Sequence, residues 1–238
     1  MPLPPRLHEY AVTRMRAFYL HGFASSALSS KAAFFRARLA EHGVALDTPD
    51  FNQPDFSTLT ITRMLTQVGE AIGDAAEPVV LIGSSLGGFV AVQTAIDHPA
   101  LVDRLVLLAP ALDFRADRVG DLGDRTLEEW RRTNRLDVYH HAYGRVLPMH
   151  YELFADAQRY QPHAARVSLP VQVFQGLRDT AVSPATVEQW ARAQPYAELH
   201  LLDDDHQMIA SLDVIWRQAS RFLFTREPFP PRAAAPRA

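Results

Sequence analysis

Val79-Val-Leu-Ile-Gly-Ser-Ser-Leu-Gly-Gly88 decides how the rest of the chain is read. Val79–Ile82 is a short apolar run of the kind that forms a fully buried strand. Directly after it, Gly83-x-Ser85-x-Gly87 sets a serine between two residues that lack side chains. Leu86 to His98 then carries a helical pattern, which Pro99 stops. Strand, serine and helix follow one another with no room for a loop, so the chain must turn sharply at Ser85. Such a turn leaves the serine on a strained backbone, and small residues two before and two after avoid clashes with the neighbouring chain. The hydroxyl then projects at a helix N-terminus, where backbone N–H groups point outward. A serine held in this way is a candidate nucleophile.

Outward from this stretch, apolar runs alternate with amphipathic ones. Strands are predicted at Arg16–Leu20, Val44–Asp47, Pro78–Gly83, Arg104–Ala109, Pro170–Gly176 and Ala197–Leu202. Helices are predicted at Ser30–His42, Ser57–Ala75, Leu86–His98, Pro184–Gln194 and Ser211–Phe224. Continuous apolar strands separated by helices imply an α/β protein, with a mostly parallel sheet of about six strands and helices on both faces. The rhythm breaks from Ala111 to about Arg166, a polar stretch with helical patterns near Leu127–Tyr139 and Tyr151–Tyr160. Structureless loops beyond ~15 residues are uncommon in compact domains, so this stretch reads as a helical cap inserted into the core. The expected organisation is a single domain with its core at about 15–110 and 167–224, a cap at about 111–166, and a disordered tail at about 225–238.

A second motif, Tyr19-Leu-His-Gly-Phe23, follows the first strand. A tetrahedral intermediate needs two hydrogen-bond donors for its oxyanion. The Leu86 N–H, next after the serine, supplies one, and the Phe23 N–H stands where the other is expected. His21 is read as a residue that holds this loop by hydrogen bonds. A serine hydroxyl also needs a base, and the base needs an orienting carboxylate. His206 lies between the last strand and the last helix, where a base belongs. Asp179 lies in the loop after Val171–Gln175, where the acid belongs. Asp113, after the strand ending at Ala109, is a competing acid. The run Asp203-Asp-Asp205 is read as a solvated loop rather than a metal site, since no partner cluster has ligand spacing.

Composition narrows the chemistry. The 238 residues include no cysteine, which excludes disulfides, thiolate metal sites and a cysteine nucleophile. Lys31 is the one lysine among 24 basic residues, which leaves serine the natural nucleophile. A net charge of −3 argues against nucleic acid as a partner. No run of 18 apolar residues suggests a membrane span, and the N-terminus does not read as a signal peptide, so a cytoplasmic location is expected.

Together these motifs resemble the α/β-hydrolase superfamily over nearly the whole chain after about residue 15. Tyr19-Leu-His-Gly-Phe-Ala-Ser-Ser26 with Lys31-Ala32, and Gly83-Ser-Ser-Leu-Gly-Gly88, look like the small bacterial YqiA-like esterases. The resemblance implies Ser85 as nucleophile, His206 as base and Asp179 as acid, with the Phe23 and Leu86 N–H groups as oxyanion hole. The expected substrate is a small-molecule acyl ester or thioester, and no cofactor or metal is required. The same triad also serves amide or C–C bond hydrolysis and cofactor-free peroxidation, and a non-catalytic binding protein can share the scaffold. Phe114, Trp130, Tyr139, Tyr143, Tyr151 and Phe154 are candidates for a pocket wall, or for packing within the cap.

Overall fold

The computed structural model describes residues 15–75, 77–114 and 124–224. The expected tail at 225–238 and the start of the chain lie outside the described residues.

Six strands form one sheet: β1 (Ala17–Leu20), β2 (Leu46–Asp47), β3 (Val79–Ser84), β4 (Val102–Leu108), β7 (Val171–Gly176) and β8 (Ala197–Leu202). Their order is β2-β1-β3-β4-β7-β8, and every neighbouring pair is parallel. β1, β3 and β7 are buried along their whole length, as strands covered on both faces must be.

Side chains alternate across the pleat and build two cores. Phe18, Leu20, Leu81, Leu105, Leu107, Val171 and Val173 face one side. There they meet α2 (Ile61–Gly73), α3 (Leu86–Asp97) and α6 (Pro184–Ala193). Ala17, Tyr19, Val80, Ile82, Val106, Leu108 and Phe174 face the other. There they meet α1 (Ser30–Ala40) and α7 (Leu212–Phe224), which bring Phe35, Leu39, Ile215 and Trp216. α3 is apolar nearly all round because α2 and the segment Pro162–Ala164 cover the side that the sheet does not.

Local chemistry moves some expected ends. α2 begins at Ile61 rather than Ser57, because the Thr60 side chain accepts from the Arg63 N–H and caps the helix there. Asp55 caps a separate 3-10 turn, Phe56–Thr58, just before it.

The insertion is not helical throughout. It contains α4 (Asp124–Thr133), an antiparallel hairpin of β5 (Leu136–His140) and β6 (Arg145–Met149), and α5 (Glu152–Ala157). The helical pattern expected to reach Tyr139 therefore stops at Thr133. Asn134, at φ 53°, ends it in a left-handed conformation. Leu136, Val138 and His140 turn inward while Asp137 and Tyr139 turn out, a period of two that belongs to a strand. Trp130, Tyr151 and Phe154 pack on one another, with centroids 5.6–6.3 Å apart, and join the core on the α2, α3 and α6 side of the sheet. The Trp130 indole N–H donates to the Met149 carbonyl at 2.8 Å. No helix among the described residues is long and apolar enough to cross a membrane.

Candidate active site

All parallel strands end at the same edge of the sheet, and the expected site residues emerge from four of those ends. Ser85 sits between β3 and α3 with φ 53° and ψ −119°, a backbone that side-chain-bearing residues rarely adopt. Glycine permits the turn. A Cβ on Gly87 would lie 1.9 Å from the Leu20 carbonyl oxygen, and one on Gly83 would lie 2.5 Å from the Gly87 oxygen. The start of α3 is thus pressed onto the end of β1, which leads into the loop carrying Phe23.

Ser85 Oγ lies 3.1 Å from His206 Nε2, and His206 Nδ1 lies 2.8 Å from Asp179 Oδ2. Of the two acid candidates, it is Asp179 that meets the imidazole, not Asp113. The Asp179 side chain has no solvent exposure. Its Oδ1 accepts from the N–H groups of Ala181 and Val182 at 2.9 and 2.8 Å, and Oδ2 also accepts from Gln175 Nε2 at 2.9 Å. Burial by itself would raise this carboxyl's pKa. The hydrogen bonds from His206, Val182 and Gln175, with the charge of His206, outweigh it and hold the pKa below the ordinary value. An acceptor-only carboxylate bonded in this way requires Nδ1 of His206 to carry a proton, which leaves Nε2 free to accept from the serine.

The loop behind His206 is more ordered than its run of aspartates suggests. Asp204 is buried, and its carboxylate accepts from the N–H groups of Asp205 and Ser211 at 2.8 and 2.9 Å. Asp205 accepts from the Gln207 and Met208 N–H groups. Asp203 and Asp205 are exposed, and Asp203 pairs with Arg178. Asp204 and Asp205 tie the backbone around His206. No group of three or more His, Asp or Glu side chains among the described residues could hold a metal ion.

The loop after β1 crosses directly over the serine. A Cβ on Gly22 would lie 3.2 Å from Ser85 Cβ. His21 Nε2 accepts from the Phe51 N–H at 3.1 Å, so Nδ1 carries the ring proton and donates to the Gly22 carbonyl at 2.9 Å. His21 therefore holds the loop, as expected. Among the described residues, neither the Phe23 nor the Leu86 N–H donates a hydrogen bond. Neither group is committed to an acceptor within the described residues.

A cavity of about 1120 Å³ opens on this group. Phe114, Tyr139 and Tyr143 line it, together with Leu28 and Lys31. The other three candidates, Trp130, Tyr151 and Phe154, do not line it. Lys31 Nζ donates to the Gln207 carbonyl at 3.0 Å. Burial lowers its pKa to about 8, against the opposing pull of Asp179, Asp205 and Asp204. Sequence reasoning gave Lys31 no part in the site, although its being the chain's one lysine was a signal. Asn52 and His140 had no local signal, since their partners lie far away in the chain.

Fold and site together place the molecule in the α/β-hydrolase fold. Solved structures share it over most of both chains. Est1E from Butyrivibrio proteoclasticus, with ferulic acid bound, is 20% identical and covers 88% of each chain, with a TM-score of 0.75. The mouse alpha/beta hydrolase domain-containing protein 10 is 21% identical over 87% of this chain and 89% of its own, with a TM-score of 0.73. A monoacylglycerol lipase from Paleococcus ferrophilus is 14% identical over 89% and 94%, with a TM-score of 0.69. At these identities the likeness is one of fold. No curated protein matches the sequence. The chain belongs to the uncharacterised protein family UPF0227, which it matches over residues 16–222. This is the YqiA-like family that its two motifs resemble.

Proposed function

We propose that the protein is a serine hydrolase that cleaves a carboxylic ester or thioester through an acyl-enzyme on Ser85. His206 Nε2 takes the Ser85 proton as Oγ bonds to the acyl carbon. The carbonyl oxygen becomes an oxyanion and accepts from the Phe23 and Leu86 N–H groups. One such donor is typically worth ~10²–10³ in rate. Asp179 holds the imidazole in the required tautomer and stabilises the imidazolium. The tetrahedral intermediate collapses, and the imidazolium gives its proton to the departing alcohol or thiol. Water then attacks the acyl-enzyme, again deprotonated by His206, and the acid leaves with Ser85 restored.

The observation that carries this reading is the continuous relay from Ser85 through His206 to the buried Asp179 carboxylate, at 3.1 and 2.8 Å. A monoacylglycerol lipase and a metagenome-derived lipolytic enzyme among its fold neighbours support the same bond class. Turnover of p-nitrophenyl esters by the wild type and by Ser85→Ala tests it. Activity that survives the substitution would remove Ser85 from the reaction. A fluorophosphonate that labels the wild type and not the variant is the matching covalent readout.

A further inference from the structure

Asn52 and His140 stand outside the relay, yet both are joined to the loop that carries the Phe23 N–H. Asn52 is buried, and its Nδ2 donates to the Ser25 carbonyl at 2.9 Å. That bond fixes the amide, so its Oδ1 faces His140 Nε2, 3.1 Å away. An amide oxygen only accepts, so His140 carries its proton on Nε2 and donates. His140 has no solvent exposure, and its other nitrogen, Nδ1, has no hydrogen-bond partner. Burial first, and the nearby His21 next, lower the ring's pKa, which keeps it neutral. A buried nitrogen without a partner costs stability that an apolar side chain of similar size would not. The position therefore tolerates a loss on one side of the ring to retain a donor on the other.

Two further connections meet at the same place. The Phe56 ring packs between Phe23, with centroids 5.5 Å apart, and His140, edge-on at 4.6 Å. The His141 N–H donates to the Ala24 carbonyl at 3.0 Å. Ala24 has φ 52°, so the residue next to Phe23 holds a left-handed backbone that its surroundings must maintain.

We propose that His140 is a positioning residue: seated on the β5–β6 hairpin, it sets the oxyanion loop through Asn52 and Phe56. The insertion and the oxyanion hole are then one mechanical unit, and the hairpin governs the rate of chemistry as well as access to the cavity. The kinetic part rests on the ester hydrolase reading; the structural part does not.

Two substitutions separate the donor from the bulk. His140→Leu removes both the N–H and the aromatic edge. His140→Gln keeps an N–H close to the place of Nε2. Hydrolysis of p-nitrophenyl acetate, a substrate too small to need the hairpin, is measured beside hydrogen exchange of the segments 22–28 and 79–89. In His140→Leu, kcat is expected to fall about tenfold or more, short of the ~10²–10³ for outright loss of a donor, with KM within about twofold. Segment 22–28 exchanges faster while 79–89 does not change, and His140→Gln recovers both readouts. Unchanged loop exchange, a loss confined to KM, or a Gln variant no better than Leu overturns the proposal. Asn52→Leu, close in shape to asparagine, removes both hydrogen bonds and should reproduce the Leu phenotype. Wild-type kcat and loop exchange in it overturn the proposal even where His140→Leu does not fold. If the wild type cleaves no ester, the proposed function falls. The exchange pattern then still decides the tether.

Discussion

Gly87 lies so close to Leu20 that a Cβ on the glycine would sit 1.9 Å from the leucine's carbonyl oxygen. Both atoms at this contact belong to rigid backbone, one at the start of α3 and the other at the end of β1. A methyl group can enter only if helix and strand separate. Gly87→Ala is expected to destabilise the fold by about 1–3 kcal/mol, the range for overpacking a tight core. Urea unfolding monitored by circular dichroism checks this. An unchanged midpoint would mean that the helix shifts freely, contrary to its burial.

Ser85 holds its unusual backbone whatever its side chain does. Glycine adopts φ 53° without the strain of a Cβ, which at such positions costs of order 1–3 kcal/mol. Ser85→Gly is therefore expected to abolish ester turnover and raise the melting temperature. Ser85→Ala should abolish turnover with the melting temperature near wild type. A Gly variant that melts below the Ala variant would show that the strain is not stored there.

Asp179 ties stability to acid. Its folded pKa lies below the ordinary carboxylate value, despite a burial that opposes this, because of its hydrogen bonds. Such a group stabilises the fold fully above its unfolded pKa, near ~4, and the contribution is lost as pH falls through the lower folded value. The melting temperature of the wild type should exceed that of Asp179→Asn at neutral pH, and the gap should narrow from about pH 4 downward. Thermal scans across this range measure it. A constant gap would remove the carboxylate's charge from the account.

Lys31 behaves in the opposite sense. Its folded pKa of about 8 lies below the ordinary lysine value, so the fold disfavours the charged amine. The resulting penalty is present below about pH 8 and is relieved as pH rises towards the ordinary lysine value of ~10.4. The chain has one lysine, so reductive methylation with ¹³C-formaldehyde gives a single lysine signal, assigned by its loss in Lys31→Arg. Its NMR titration midpoint is expected near 8 in the folded protein and at the ordinary value in urea. A folded midpoint at the ordinary value would place the amine in water.

The parts of this molecule that were legible in sequence are those fixed by neighbours in the chain. The buried strands, the turn at Ser85 and the order of Ser85, Asp179 and His206 each follow from a local run or a fixed sequence order. The hairpin was missed because Leu136–His140 lies directly after a real helix. Its alternation is only five residues long, too short to outweigh the preceding period. Asp204 was read as solvated because aspartates in a row usually are. Its burial depends on the N–H groups of Asp205 and Ser211 turning back onto it. Asn52 and His140 are 88 residues apart, and neither carries a mark of the other.

The order in which the strands close the sheet has a consequence for the chain as it is made. Ser85 emerges from the ribosome with the central strand β3, whereas His206 follows β8, the outer strand at the far edge. A domain generally folds as a unit, so this sheet completes only once β8 has been made. A nascent or truncated chain that stops before β8 carries Ser85 but lacks His206, the base of the proposed mechanism. On that mechanism reactivity arrives only with the last strand, and a half-made molecule stays chemically silent.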